Sequence, residues 1–249
     1  MTWAAEMLVR EAHPAKPTEV RNLHRLAFRH ENWTTDVANL LRINGFIAII
    51  SLVAATVVAQ SVKRIDGCEI RPGTLCVEAN LEAADLQGTD LSYAQFTRAR
   101  MAGANLRRVN LNGAKMARAD LRNADLRDAL LNDADLSGAD LTRAKLAGAQ
   151  LNGANLQHAR LHATDLLGVH ASGSDFSIAD LTNARLQDAK LQRATFHTAN
   201  LHGAVLSGAD LRAAVFTNAD LSDANLQGAN LTYVKFDAVK TNGCTGCPH

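Results

Sequence analysis

Apolar residues recur every five positions in this chain, from Ala79 to Ala238, with no insertion and no slip of phase. If the central residue of each unit is position i, it falls at Leu81, Leu86, Leu91, Phe96, Met101 and onward through thirty-two units to Phe236. Position i is Leu, Phe or Met everywhere except Ala171, and position i−2 is Ala in most units, otherwise Val, Thr or Ser. The three remaining positions are mostly Asp, Asn, Arg, Ser, Thr, Gln and Gly. A period of five fits neither the 3.6 of a helix nor the 2 of a flat strand. A fixed short repeat predicts a solenoid, whose units cannot bury their apolar residues alone but do so when stacked. Two inward residues and one turn per unit give a square coil of four units, or 20 residues. Position i fills the core. Position i−2 also points inward, near a corner, and must be small.

Two features that did not set the phase agree with it. All eleven glycines of the repeat region, among them Gly88, Gly113, Gly153 and Gly208, sit at i+2, and Asn or Asp shares that position at Asn123, Asp128, Asp133, Asn183, Asp188, Asn218 and Asp223. Glycine, and after it Asn and Asp, tolerates positive φ, so i+2 is expected to be a corner turn. Phe96, Phe176, Phe196, Phe216 and Phe236 are separated by multiples of 20, which places all five on one wall, with the last four in direct stack.

The run Ala-Asp-Leu, as at Ala119-Asp120-Leu121, Ala139-Asp140-Leu141 and Ala209-Asp210-Leu211, resembles the pentapeptide-repeat family across roughly residues 77–240. The resemblance implies an all-β fold, a right-handed quadrilateral β-helix of about eight coils; the handedness comes from the resemblance and not from the spacing. Eight coils at the strand spacing make a rod ~38 Å long.

The flanks differ from the rod. All four prolines and all four cysteines lie outside the repeats, which span 79–238. Residues 1–42 are polar, and the apolar spacing of Val20, Leu23, Ala27, Val37, Leu40 and Leu41 predicts one or two short amphipathic helices. Ile43 to Val62 is twenty residues without a charge, about the length of a membrane-spanning helix. A single transmembrane helix over 43–62 is the leading expectation; a buried helix capping the rod and a cleavable signal peptide ending near Val57-Val58-Ala59 are the alternatives. Arginine and lysine balance across its two ends, so the positive-inside rule gives no orientation. Cys68 and Cys76 lie in a cap segment, 63–78, just before the first coil, and Cys244 and Cys247 lie in a tail, 239–249, just after the last. Two close pairs read as two disulfides and hence as an extracytoplasmic rod. For Cys244 and Cys247 a zinc or redox role is the rival, although Cys-x-x-Cys with His249 supplies too few ligands for a closed zinc site.

Candidate chemistry is sparse. The glycines serve the repeat and form no phosphate loop, and the Asp column at i−1 reads as turn chemistry. His162 and His202 share a column two coils apart, too far for one metal ion. No catalytic residue, cofactor or metal ligand is expected. One charge feature stands out. No acid occurs between Asp90 and Asp120, where Arg98, Arg100, Arg107, Arg108, Lys115 and Arg118 form a candidate basic collar for an anionic headgroup or an acidic partner. The whole chain carries 26 basic and 25 acidic residues, so nothing draws it globally to nucleic acid.

These readings converge on a membrane-anchored, non-enzymatic scaffold that binds protein partners within a membrane assembly. The alternative comes from resemblance alone: some pentapeptide-repeat proteins mimic duplex DNA and protect gyrase, which requires a strongly acidic surface. The tail after Ala238 offers little apolar cover for Phe236, Leu231 and Leu226, so the C-terminal coil is expected to be a contact surface for another chain, either a second copy through self-association or a different protein.

Overall fold

The computed structural model describes residues 63–248. The amphipathic stretch 18–42 and the uncharged run 43–62 lie outside the described residues. The rest is a square solenoid whose backbone pairs in parallel at a spacing of 20 residues, as at Arg100↔Asp120 and Asp120↔Asp140. Four walls follow, called here after their first central residues: the Leu81, Leu86, Leu91 and Phe96 walls.

The Ala-Asp-Leu code follows from the demand that every buried N–H find an acceptor. In the unit starting at Leu121, the N–H of Leu121 donates to Asp140 O on the next coil (2.8 Å), and that of Asn123 to Thr142 O (3.1 Å). Ala124 N–H closes the corner turn onto Leu121 O (3.1 Å), and Asp125 N–H reaches back to Ala104 O (2.9 Å). The fifth donor, Arg122 N–H, finds the Asp120 side chain at 3.2 Å. An Asp or Asn at i−1 therefore completes a set that the backbone alone leaves one acceptor short.

Every residue at i+2, from Ala83 to Ala238, has positive φ, so each corner is a turn with one left-handed residue. Most of these positions carry a side chain. Ile178 (φ 60) and Thr198 (φ 57) are β-branched, for which this conformation is unfavourable. The central residues are sealed: Leu81, Phe96, Phe176, Phe196 and Phe216 are fully buried. The phenylalanine rings stack nearly parallel, with centroids 5.0 Å apart for Phe176–Phe196, 4.7 Å for Phe196–Phe216 and 5.4 Å for Phe216–Phe236. Where i−2 is Thr or Ser, its hydroxyl is satisfied inside the wall. Thr164 Oγ1 donates to Leu141 O at 2.8 Å, and Ser174 Oγ donates to Leu151 O.

The backbone register runs past both ends of the 79–238 repeat. Leu75 pairs with Gln95, Lys240 with Asp220 and Thr245 with Asn225. Thr74 and Cys76 occupy the i−2 and i positions and are buried, so a small polar residue and a cysteine suffice there. At the far end the ladder continues although Thr241 replaces the large apolar residue, because ladder hydrogen bonds need only backbone.

The two ends differ in how far the core is covered. Strands β1 (Arg64–Ile65) and β2 (Cys68–Glu69) form an antiparallel hairpin with Asp66 (φ 49) and Gly67 (φ 73) at its turn. Two positive φ angles at an Asp-Gly pair make a type I′ turn, the tight connection that matches strand twist. The hairpin is tied to the first coil. Asn80 N–H donates to Asp66 Oδ2 at 2.8 Å, and Lys63 Nζ donates to Asp85 O. Ile65 and Ile70 pack against the core beneath it, and Leu81 and Leu86 are fully buried. At the far end the last fully buried central residue is Leu226; Leu231, Val234, Phe236 and Val239 are only partly covered. The N–H groups of Leu231 and Phe236 have no acceptor among the described residues.

Candidate functional site

The Asp column is absorbed by structure. Asp120, Asp140, Asp180 and Asp220 each accept from the N–H two residues on, at 3.0–3.2 Å. Some also hold an arginine of the same unit: Asp120 with Arg122, Asp125 with Arg127 and Asp210 with Arg212. Those arginines hold the three carboxyls below the usual carboxylate range. Asp210 is pulled down to about 2, first by Arg212 and then by the Gln192 amide. Among the described residues no three His, Cys, Asp or Glu side chains gather as a metal site.

The cysteines form the two close pairs. Cys68 and Cys76 are disulfide-bonded with Cα atoms 5.3 Å apart, as are Cys244 and Cys247 at 5.9 Å. The first bridge joins the hairpin to the first coil and is buried. The second closes the tail beside Thr245.

The six cations of the collar do not share a face. Arg98 and Arg118 stand at the corner after the Phe96 wall and Lys115 on that wall, while Arg100 lies on the Leu81 wall, and Arg107 and Arg108 on the Leu86 wall. Acids of the preceding coil meet two of them. Arg98 pairs with Glu78 at 3.1 Å, and Arg100 Nε donates to Glu82 at 3.0 Å. Arg107 Nε is buried without a partner. Over 63–248 the rod carries 20 basic and 20 acidic residues, so it presents no single-sign field.

The Leu91 wall carries the most developed surface. Its i+1 column forms a ladder: Asn132 Nδ2 donates to Asn112 Oδ1 (3.1 Å), and Asn152 Nδ2 to Asn132 Oδ1 (3.0 Å). Ser172 N–H donates to Asn152 Oδ1 (3.0 Å), Ser172 Oγ to Gln192 Oε1 (2.6 Å) and Gln192 Nε2 to Asp210 Oδ2 (2.6 Å). Gln192 is half-buried and forms a rung of this ladder. The signal was present in the 20-residue spacing of Asn112, Asn132 and Asn152. On the neighbouring i+2 column, Tyr93 lies across Gly113, where a Cβ would come within 2.6 Å of the ring. Toward the far end the wall opens into a groove of about 780 Å³ lined by Ser172, Gly173, Gln192, Arg193, Arg212, Ala213, Thr232 and Tyr233.

The family model for Pentapeptide repeats matches in 8 copies, over residues 74–113, 119–157, 159–197, 179–218 and 196–232. Among solved structures, the chain is similar to HetL, a pentapeptide repeat protein involved in heterocyst differentiation regulation from Nostoc sp. strain PCC 7120. The identity is 31%, the match covers 69% of this chain and 87% of HetL, and the TM-score is 0.49. It is similar to QnrB1, a plasmid-mediated fluoroquinolone resistance protein, at 21% identity over 66% of this chain and 86% of QnrB1, with a TM-score of 0.54; at that identity the likeness concerns the fold alone. A pentapeptide repeat protein from the Arabidopsis thaliana thylakoid lumen is 31% identical over 36% of this chain and 63% of its own, with a TM-score of 0.36. No curated protein matches. No catalytic family is among these matches.

Proposed function

The chain belongs to the pentapeptide-repeat family, and from that premise we propose that it is a membrane-anchored, non-enzymatic scaffold whose rod binds protein partners on the extracytoplasmic side. The observation that carries the anchor is the uncharged run Ile43–Val62, which ends directly before Lys63, where the capping hairpin begins. A rigid rod with four flat walls suits protein contacts, since each wall offers a fixed array of side chains on a stiff ladder. The paired cysteines support an oxidising compartment for the rod. The unclosed C-terminal coil supports self-association as one of the contacts. The DNA-mimic alternative requires an acidic surface, and 20 basic against 20 acidic residues argue against it.

The test of the anchor is fractionation of cells expressing the full chain. Resistance to alkaline carbonate is expected, and release into the carbonate supernatant would remove the anchor from the proposal. Side of exposure is read separately by non-reducing peptide mapping. A Cys68–Cys76 linked peptide in the isolated protein is expected, whereas free thiols labelled by maleimide only after lysis would place the rod in the cytoplasm.

A further inference from the structure

We propose that the groove on the Leu91 wall between Arg193 and Tyr233 is a docking site for an extended acidic peptide segment of a protein partner, a reading that rests on the scaffold role and names its partner's chemistry.

Half of the groove's backbone acceptors are occupied, and the carbonyls of Gly173, Arg193, Ala213 and Tyr233 receive no N–H among the described residues. Four backbone carbonyls on its floor each receive an N–H of the preceding coil: Ser172 O from Gly153 (3.0 Å), Gln192 O from Gly173 (2.8 Å), Arg212 O from Arg193 (2.9 Å) and Thr232 O from Ala213 (2.9 Å). The side-chain acceptors are engaged as well. Gln192 Oε1 takes the Ser172 hydroxyl, and the Asp210 carboxylate takes Arg212 and Gln192.

Unpaired donors remain. The Arg193 guanidinium makes no hydrogen bond or ion pair among the described residues, and neither does the Lys190 ammonium beside it. The N–H of Gln192 lacks an acceptor among the described residues because the i−1 position of its unit is Lys190, where just over half of the units place Asp or Asn. Tyr233 is 86% exposed and its N–H has no acceptor among the described residues. An unpaired guanidinium beside an unpaired ammonium favours an acceptor-rich anion, and a planar guanidinium matches a carboxylate.

Charge and shape narrow the ligand further. From His170 to Tyr233 this wall carries Lys190, Arg193 and Arg212 against a single carboxylate, Asp210. The balanced charge of the whole rod makes this a local excess. Ala213 is the only residue between Arg193 and Tyr233 on their shared column, and Gly173 lies on the other side of Arg193. The groove therefore runs open for two coils, ~9.6 Å, along the rod axis. An extended chain fits such a trough, with a carboxylate on Arg193 and an apolar neighbour on the Tyr233 ring.

The experiment is fluorescence anisotropy of a labelled Glu-Ser repeat peptide titrated with the detergent-solubilised full chain. Saturable binding that weakens with salt is expected. Arg193→Glu should weaken it about tenfold or more, the loss of one charge-assisted contact. Arg118→Glu reverses a comparably unpaired cation on another corner and should leave binding within about twofold. Ala213→Glu sets a carboxylate in the groove from a different unit and should also abolish binding, which keeps the test intact if Arg193→Glu lowers the melting temperature. Equal losses in Arg193→Glu and Arg118→Glu, no saturable binding, or tighter binding of a single-stranded oligonucleotide would each overturn the proposal. A partner that survives Arg193→Glu in a pull-down from solubilised membranes sinks the groove and leaves the scaffold standing. The absence of any retained partner sinks the scaffold itself.

Discussion

Phe196→Ala is the most informative perturbation of the rod. The ring is fully buried and lies between Phe176 at 5.0 Å and Phe216 at 4.7 Å, both nearly parallel to it. Removing a buried phenylalanine costs ~3–5 kcal/mol through lost transfer energy and the cavity left behind. Each stacked pair adds ~0.5–1.5 kcal/mol beyond its buried area, and two are lost here, so the cost lies toward the top of that range. The walls are held by a continuous backbone ladder and cannot collapse inward to fill the space. Phe236→Ala should cost roughly half as much, ~2 kcal/mol, because that ring is partly exposed and has one neighbour, at 5.4 Å. His170→Ala, on the outside of the Leu91 wall, should stay within ~0.5 kcal/mol. Urea titration followed by circular dichroism measures the three. Hydrogen exchange adds position, since a solenoid opens by neighbouring units and protection should fall first in the coils around Phe196. Equal midpoint shifts for Phe196→Ala and His170→Ala would refute the inward phase of the repeat.

Three further outcomes are expected. Ile178→Asn should raise stability by about 1 kcal/mol, because a β-branched residue is held at φ 60 where Asn is tolerated; a lower melting temperature would show that the half-exposed isoleucine makes contacts worth more than the strain. Acid should destabilise the rod in a defined window: Asp210 is depressed from 3.8 to about 2, so its contribution is complete above its unfolded value and is lost as pH falls through about 2, and Arg212→Ala should flatten that part of the melting profile. Phe236→Asp should convert a self-associating full chain to a monomer in light scattering, while a monomer with and without the substitution would rule out the C-terminal coil as a homotypic contact.

What the sequence reveals and what it hides divide along the period. Positions i and i−2 are legible because one register must serve every coil; a residue of the wrong size at Leu121 or Ala124 disturbs walls above and below it. The corner at i+2 is legible from glycine, yet most corners are not glycine, because an exposed side chain tolerates a left-handed φ at moderate cost. The ends are less legible. The hairpin over 64–69 has strands of two residues each, too short for any periodic signal, and only Asp66-Gly67 marks its turn. The collar misleads for a related reason. Consecutive basic residues in sequence are spread around three walls, while the acids that meet Arg98 and Arg100 come from one coil earlier.

The same geometry says where function resides in such a chain. A residue in the rod has two kinds of neighbour, those beside it in sequence and those 20 positions away, and only the second kind builds a column. Columns that obey the repeat are inert: Asp120 and Arg122 satisfy each other and the turn, and leave nothing for a ligand. A break in the repeat leaves a group unpaired where no neighbour 20 positions away supplies the missing partner. Lys190 in place of an Asp or Asn frees the Gln192 N–H, and Ala213 beside Arg193 leaves a trough where a side chain would otherwise stand. Lys190 and Ala213 both lie on the Leu91 wall toward the far end, where the apolar core is also least covered. A partner meeting the rod there would satisfy unpaired donors and exposed core in one contact, the combination that gives an interface both specificity and affinity.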